Sequence, residues 1–247
     1  MGAVANAGRG HLPPNGARTP TRNLPPHTFL MSSAVKHVVW DWNGTLLDDL
    51  SVVIEAANIS LGRHGMGPID EDDYRNHFTR PVRAFYDSLF DRLVSDAEWE
   101  TLNETFHIEY YSRVDQADLT IDTVDALGHV DDQGWGQSLL SMSPQMWLDD
   151  VVGRKGVSSR FTLVDGLSGD TGGLKATHLE EHLRTQGLDP HRTVVVGDTP
   201  DDAVAARQAG AQPILYDGGS HHLPTLQGMG APVAHTLVEA VSLARTL

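Results

Sequence analysis

The 247-residue sequence contains no cysteine. That removes disulfides, thiolate nucleophiles and cysteine metal sites together, and it fits a reducing, cytoplasmic setting. Basic side chains are scarce as well: 18 Lys plus Arg stand against 33 Asp plus Glu, for a formal net charge of -15. A surface of that sign repels polyanions, which argues against nucleic acid and anionic membranes as partners. No apolar run approaches the ~18 residues of a transmembrane helix. An acidic chain that handled a phosphorylated substrate would need a local positive centre, and a metal ion would supply one.

What is present is a core-forming composition, 40% hydrophobic and 21% charged, enough for one large α/β domain or a core with a smaller insert. Residues 1–33 differ: they are rich in Gly, Pro and Asn, with three arginines and no acid. They lack the apolar stretch of a secretion signal, and Asn6 stands where a myristoylation site has Ser or Thr. This segment is expected to be a disordered extension, with Met31 a candidate true start.

The runs "HVVWD" (37–41), "QSLLSMS" (137–143), "RTVVVGD" (192–198) and "QPILYDGG" (212–219), with a weaker "SRFTLVDG" (159–166), are apolar without alternation. This predicts strands covered on both faces, as in a parallel sheet. Helical patterns follow over Leu174–Gln186, Pro200–Ala209 and Ala234–Leu247. "TPDD" (199–202) reads as a helix start, with Thr199 as cap, Pro200 at the first position and acids in the first turn. Strand and helix alternating in this way predict a doubly wound, Rossmann-like α/β core. Between residues 48 and 118 the alternation stops. The amphipathic segments "LSVVIEAANISLGRHG", "AFYDSLFDRLV" and "DAEWETLNETFHIEYYSRV", divided by turn signals at "GMGPIDEDD" and "FTRP", predict a helical subdomain. The expected organisation is a core of residues 34–47 and 119–247, with residues 48–118 inserted as helices.

In a parallel sheet the carboxyl ends of the strands face one crevice. There the chain places Asp41, then Ser141 and Ser143, and then Asp198, Asp201 and Asp202 of "GDTPDD". Lys175 opens a helix behind "GDTGGLK", whose glycines at 172–173 would let backbone approach an anion. Carboxylates gathered from distant segments repel one another unless a cation sits among them. An all-oxygen donor set points to Mg2+. The hydroxyl, the lysine and turn amides would hold an anionic group against it. An aspartate that stays ionised there is a ligand or a nucleophile. Facing a phosphoryl group, it can form an aspartyl phosphate that water later cleaves.

These residues resemble the haloacid dehalogenase superfamily of hydrolases. "DWNGTLLDD" is similar to its first motif, D-x-D-G-T, and "LLSMS" to its second. Lys175 resembles the third, and "VVVGDTPDDAVAARQAGA" the fourth. The helical insert stands where the phosphoglycolate-phosphatase-like branch carries a cap, and the resemblance spans Val35–Leu247. It implies a Mg2+-dependent phosphohydrolase acting on a small phosphorylated metabolite. Asp41 would be nucleophile and metal ligand, and Asn43 a metal ligand through its backbone carbonyl. Ser141 and Lys175 would bind the phosphoryl oxygens, Lys175 also neutralising charge around Asp41. Asp198 would ligate the metal directly with Asp202 close behind it, whereas Asp201 matches no invariant family position.

The chain departs from the family at Asn43, where phosphatases carry an acid that protonates the leaving alcohol and then activates water. An amide cannot exchange protons in this way, and such help is worth about 10²–10⁴-fold. One reading is a phosphatase whose leaving group needs little protonation, such as an acyl phosphate or phosphoanhydride, or whose acid comes from the substrate or the cap, with His64 and His77 as candidates. A second is a C–P or C–halogen hydrolase. The only lysines are Lys36, Lys155 and Lys175, so the insert lacks the Schiff-base lysine of the C–P branch. "GDTPDD" also keeps metal carboxylates that the dehalogenases dispense with. A third is a capped binding or regulatory protein that holds a phosphorylated ligand. The phosphatase reading is preferred, because neighbouring buried aspartates cost stability without their cation. In the insert, Arg75, Arg80 and Arg83 gather near Pro81, and Arg80 is the candidate for a second anionic group of the substrate. Trp42 and Met142 follow the catalytic positions, and Met142 is a candidate pocket wall. A lid hinged near Leu46–Asp49 and Asp118–Ile121 would close over the crevice. His221 and His222 read as loop residues.

Overall fold

The computed structural model describes residues 34–168 and 174–247, so the expected extension at 1–33 and the glycines at 172–173 lie outside the described residues. Among the described residues eight strands follow one another: β1 (His37–Trp40), β2 (Leu47–Asp48), β3 (Asp118–Leu119), β4 (Gly136–Pro144), β5 (Val164–Leu167), β6 (Thr193–Gly197), β7 (Gln212–Tyr216) and β8 (Val233–Ala234). Four helices lie between β2 and β3, namely α1 (Leu50–Arg63), α2 (Glu71–His77), α3 (Val82–Phe90) and α4 (Asp96–Tyr111). The others are α5 (Thr123–Asp132), α6 (Gln145–Arg154), α7 (Lys175–Gln186), α8 (Pro200–Gln208), α9 (Leu223–Gln227) and α10 (Leu237–Ala244).

Six strands form one parallel sheet in the order β5-β4-β1-β6-β7-β8. β1 and β6 sit at its centre and are buried throughout, which is why their valines run without alternation. The two-residue period of a strand still sorts the side chains. Val38, Trp40, Val194 and Val196 enter one apolar cluster with α5, α6 and α10. Val39 and Val195 enter another, with Leu179 and Leu183 of α7 and Ala205 and Ala206 of α8. Helices thus cover both faces, and the fold is the doubly wound α/β core that the runs predict.

The short elements are where pattern and structure part. Ala234, read as the start of a helix, closes β8, and α10 begins only after Thr236 caps it by accepting from the Glu239 amide at 3.0 Å. The acid run at 70–73, read as a turn, opens α2. There Asp70 accepts from the Asp73 amide at 2.9 Å and Asp73 accepts from the Asp70 amide at 3.2 Å. Acids at a helix start suit both the free amides and the helix dipole.

The insert leaves the core through a narrow neck. β2 and β3 pair antiparallel, Leu47 against Leu119 and Asp48 against Asp118. Thr120 Oγ1 donates to the Thr45 carbonyl at 2.6 Å, and Thr123 Oγ1 to that of Leu46 at 3.0 Å. Beyond the neck the helices bury an apolar cluster of their own, including Leu61, Tyr74, Phe85 and Leu102. Burying each such side chain stabilises the fold by about 2 kcal/mol.

A buried polar chain ties the sheet to α7. His37 Nε2 lies 2.8 Å from Ser138 Oγ, which lies 2.7 Å from His182 Nε2, and His182 Nδ1 lies 2.7 Å from Asp165. Burial, and then the neighbouring His182, lower the pKa of His37 to about 4. The unfolded chain takes up this proton below about pH 6.5 and the folded chain does not. Stability is therefore lost as pH falls from there toward 4, by about 2 kcal/mol at pH 4.5. Urea titrations at pH 7 and pH 4.5 are expected to show a smaller drop in midpoint for His37→Asn than for the native chain.

Candidate active site

The backbone amide of Asp41 donates to the Val196 carbonyl at 2.8 Å, so Asp41 leaves β1 still pinned to β6. The chain then turns: the Thr45 and Leu47 amides both donate to the Trp42 carbonyl, at 3.2 and 2.9 Å. Gly44 in this turn has φ +69°, and a Cβ there would come within 2.5 Å of Asp198 Oδ2. Glycine both accepts the left-handed backbone and lets the first motif lie directly on the fourth.

Asp198 follows β6 and is fully buried. Its Oδ2 accepts from the Ser220 amide at 2.7 Å and its Oδ1 from Thr45 Oγ1 at 3.3 Å. Asp202 lies one turn into α8, with Oδ2 accepting from the Thr199 amide at 2.9 Å and Thr199 Oγ1 at 2.7 Å. The expected Thr199 cap is therefore a reciprocal one, and it orients Asp202 so that Oδ1 faces Lys175. Lys175, the first residue of α7, donates from Nζ to Asp41 Oδ1 at 2.7 Å and forms an ion pair with Asp202.

One oxygen from each of Asp41, Asp198 and Asp202 lies within 4.8 Å of the others, and all three residues are buried. One lysine cannot balance three carboxylates. Burial pushes Asp41 up to about 7, against the pull of Lys175 and with added repulsion from Asp202 and Asp198. Burial likewise pushes Asp198 up to about 6, and Asp202 adds to it. Burial acts upward on Asp202 too, but Lys175 and the bonds from Thr199 outweigh it and hold that carboxyl below its ordinary value. Surplus buried negative charge and an all-oxygen donor set within one ion's reach fit a hard divalent cation.

Ser141 is buried at the end of β4, and its Oγ accepts from the Ser143 amide at 3.1 Å. Ser143 Oγ donates to Asn43 Oδ1 at 2.9 Å, and Ser141 Oγ reaches the same atom at 3.4 Å. Asn43 Nδ2 donates to Asp49 Oδ2 and to the Tyr110 hydroxyl, both at 2.7 Å. Asp49 also accepts from the Gly44 amide at 2.8 Å and from the Tyr110 hydroxyl at 2.6 Å. A buried carboxylate thus lies against the amide at 43. Burial pushes Asp49 up, while Tyr110, Asn43 and the Gly44 amide pull it down. Sequence reasoning missed both Asp49 and Tyr110. The signal for Asp49 was the doubled acid at 48–49, of which only Asp49 turns inward. It also missed the loop after β7, where a Cβ at Gly219 would strike Asp198 and the Gly44 carbonyl.

Arg80 reaches the rim of this cluster, with Nε 3.9 Å from Asp201 Oδ2. Arg75 Nε donates to the Gly219 carbonyl at 3.0 Å, whereas Arg83 pairs with Asp96 at 2.7 Å within the insert. Met142 is half-buried beside Ser141, and Trp42 packs into the main core. His64 and His77 stay apart from the acids: His77 Nδ1 is bonded to Ser88 Oγ at 2.7 Å, and His64 stands at the end of α1.

The sequence matches the family model for haloacid dehalogenase-like hydrolase over residues 35–210. The chain belongs to the haloacid dehalogenase-like hydrolases. Within that family it is an enzyme of the phosphoglycolate-phosphatase-like branch. It is 27% identical to a phosphoglycolate phosphatase of Vibrio vulnificus, over 81% of this chain and 88% of the relative. It is also 23% identical to an N-acetylmuramic acid 6-phosphate phosphatase of Pseudomonas aeruginosa, over 76% of this chain and 84% of the relative. A haloacid dehalogenase-like family hydrolase from Streptococcus pneumoniae shares the fold, with a TM-score of 0.74 at 20% identity, covering 86% of this chain and 99% of that one.

The close approach at Gly44 yields a prediction on stability. Gly44→Ala is expected to destabilise by about 3 kcal/mol, from strained backbone and a forced shift of Asp198, lowering Tm by about 8 °C. Gly65 has φ +75° but open space around it, so Gly65→Ala is expected to cost only about 1 kcal/mol. Equal losses in thermal unfolding would remove the argument that Gly44 serves close packing.

Proposed function

We propose that this hydrolase is a Mg2+-dependent phosphohydrolase of a small phosphorylated metabolite, working through an aspartyl phosphate on Asp41. The observation that carries the reading is the convergence of Asp41, Lys175, Asp198 and Asp202 in one buried cluster. Mg2+, held by Asp41, the Asn43 backbone carbonyl and Asp198 with Asp202 close behind, would neutralise the phosphoryl oxygens and orient them. Lys175 fixes one oxygen of Asp41 and, with Ser141, holds the phosphoryl oxygens. Asp41 then attacks phosphorus, the bond to the leaving group breaks, and water cleaves the acyl phosphate to restore the carboxylate. Residues 48–118 act as a cap over this crevice, with the β2–β3 neck as hinge. Arg80 at the rim meets a second anionic group, and Met142 walls the pocket. The lack of cysteine supports a cytoplasmic setting. Among the described residues, no helix is long and apolar enough to cross a membrane.

The names of the relatives support a small phosphorylated acid or amino sugar as substrate. Asn43 narrows this, because its amide is bonded to Ser143, Asp49 and Tyr110 and has no proton to exchange. A leaving group that needs little protonation suits such a site, acyl phosphates first. The same residue is the one feature favouring a phosphoryl-binding protein of poor turnover. Phosphate release from acetyl phosphate is expected to require Mg2+ and to fall at least about 10³-fold in Asp41→Asn. No Mg2+-dependent release from any member of a broad panel of phosphorylated metabolites would leave the binding protein.

Asn43→Asp alone would press two carboxylates together at 43 and 49, so the informative variant is the exchange Asn43→Asp with Asp49→Asn. It is expected to raise kcat on simple alkyl phosphates by about 10²-fold and on acetyl phosphate much less. An equal gain on both would remove this account of the amide.

A further inference from the structure

Away from its neck, the insert also touches the core at the loop that follows β7. Arg75 of α2, whose side chain is only 20% exposed, donates from Nε to the Gly219 carbonyl at 3.0 Å. Its Nη1 pairs with Glu71 at 3.0 Å, one turn back on the same helix. Just past α2 the Phe78 ring lies 5.5 Å from that of His221, and it stacks at 4.9 Å on buried Tyr74. The Gly219 carbonyl and the Ser220 amide belong to one planar peptide unit. The oxygen of that unit accepts from Arg75, and its N–H donates to Asp198 Oδ2 at 2.7 Å. Gly219 lies against Asp198 and the Gly44 carbonyl with no room for a Cβ. A guanidinium of the insert thus stands one peptide away from a carboxylate of the acid cluster.

We propose that Arg75 is a positioning residue for the metal site: through the Gly219–Ser220 peptide it tightens the hold of Asp198 on a divalent cation when the insert is seated on the core. This coupling rests on the Mg2+-dependent reading above and adds to it a route from insert to metal. A charged donor on the carbonyl polarises the peptide and strengthens the N–H on its other side. It also fixes the peptide plane, so the N–H stays aimed at Oδ2 and Asp198 keeps one orientation. Partners that orient a ligating carboxylate are worth about 10–100-fold in metal affinity, and one that acts through a peptide belongs at the lower end. Linkage makes the effect reciprocal: a cation on Asp198 holds α2 to the loop by the factor that α2 adds to cation binding. The other arginines near Pro81 have different partners. Arg83 is bonded to Asp96 and the Val94 carbonyl inside the insert, and Arg80 faces Asp201, outside the cluster of Asp41, Asp198 and Asp202.

The test measures binding of Mg2+ alone, by calorimetry on the full chain. Arg75→Met keeps the hydrocarbon stem and removes the donor, and it is expected to bind Mg2+ about tenfold more weakly than the native chain. Arg83→Met removes the same charge from the insert and is expected to bind like the native chain. Hydrogen exchange needs no variant: Mg2+ is expected to slow exchange at the amides of residues 71–78 severalfold in the native chain. A lower Tm for Arg75→Met with unchanged Mg2+ affinity would mark a purely structural contact and overturn the proposal. Equal weakening in both variants, or native exchange at 71–78 that ignores Mg2+, would overturn it too. A native chain that binds no Mg2+ takes the metal out of the proposed function and the coupling with it. A chain that binds Mg2+ equally well with Arg or Met at position 75 loses the coupling alone.

Discussion

Among the described residues Lys175 is the only side-chain cation that touches the clustered acids Asp41, Asp198 and Asp202, and the site is arranged around its shortage of charge. It donates to Asp41 and pairs with Asp202, while Asp198 relies on a backbone amide and a threonine hydroxyl. Removing three carboxylates from water is strongly unfavourable, and one ammonium offsets part of that. The sheet makes the gathering possible. Asp41 and Asp198 leave adjacent parallel strands at the same end, and α7 and α8 begin there, so Lys175 and Asp202 are delivered from helix first turns. A stable scaffold with two valine-rich central strands can carry this local cost, because its apolar clusters are formed elsewhere.

Tight backbone approach is the second constraint, and it follows from the first. For carboxylate oxygens to lie within one ion's reach, the loops that bear them must nearly touch. Gly44 lies on Asp198 from one side and Gly219 closes on it from the other. Neither contact is visible as a pattern in the chain, because each joins segments more than 150 or 20 residues apart. What the sequence showed was the chemistry at the strand ends, and that was readable because parallel strands buried on both faces have a distinctive composition. Asp41, Ser141, Lys175, Asp198 and Asp202 stand where those runs and helix starts put them.

The parts that escaped sequence reasoning share a physical cause. β8 spans two residues, too few for any period, and it is defined only by pairing with β7. The acids at 70–73 carry equal turn and helix-start character, and the reciprocal bonds of Asp70 and Asp73 decide between them. Of the adjacent Asp48 and Asp49, the two-residue strand β2 turns the first to solvent and the chain's entry into α1 turns the second inward. His37 and His182 look like any other histidines in sequence, yet they form a buried chain with Ser138, because three separate elements must meet before their hydrogen bonds exist. In each case tertiary contact chose between local options of similar merit.

The same reasoning explains the amide at 43. Read alone, Asn43 is a defect in a motif, since it cannot move a proton. In the fold it is the centre of a lacing between core and insert: Ser143 from the end of β4 bonds one side, and Asp49 and Tyr110 bond the other. Tyr110 belongs to α4, so the same bonds that fix the amide hold the far end of the insert onto the core. An acid at 43 facing Asp49 would need a shared proton or would repel, and either would strain that lacing. An amide is the residue that can accept from a serine hydroxyl and donate to a carboxylate at once. Position 43 and position 49 are therefore one unit, and the departure at the first is intelligible only through the carboxylate at the second.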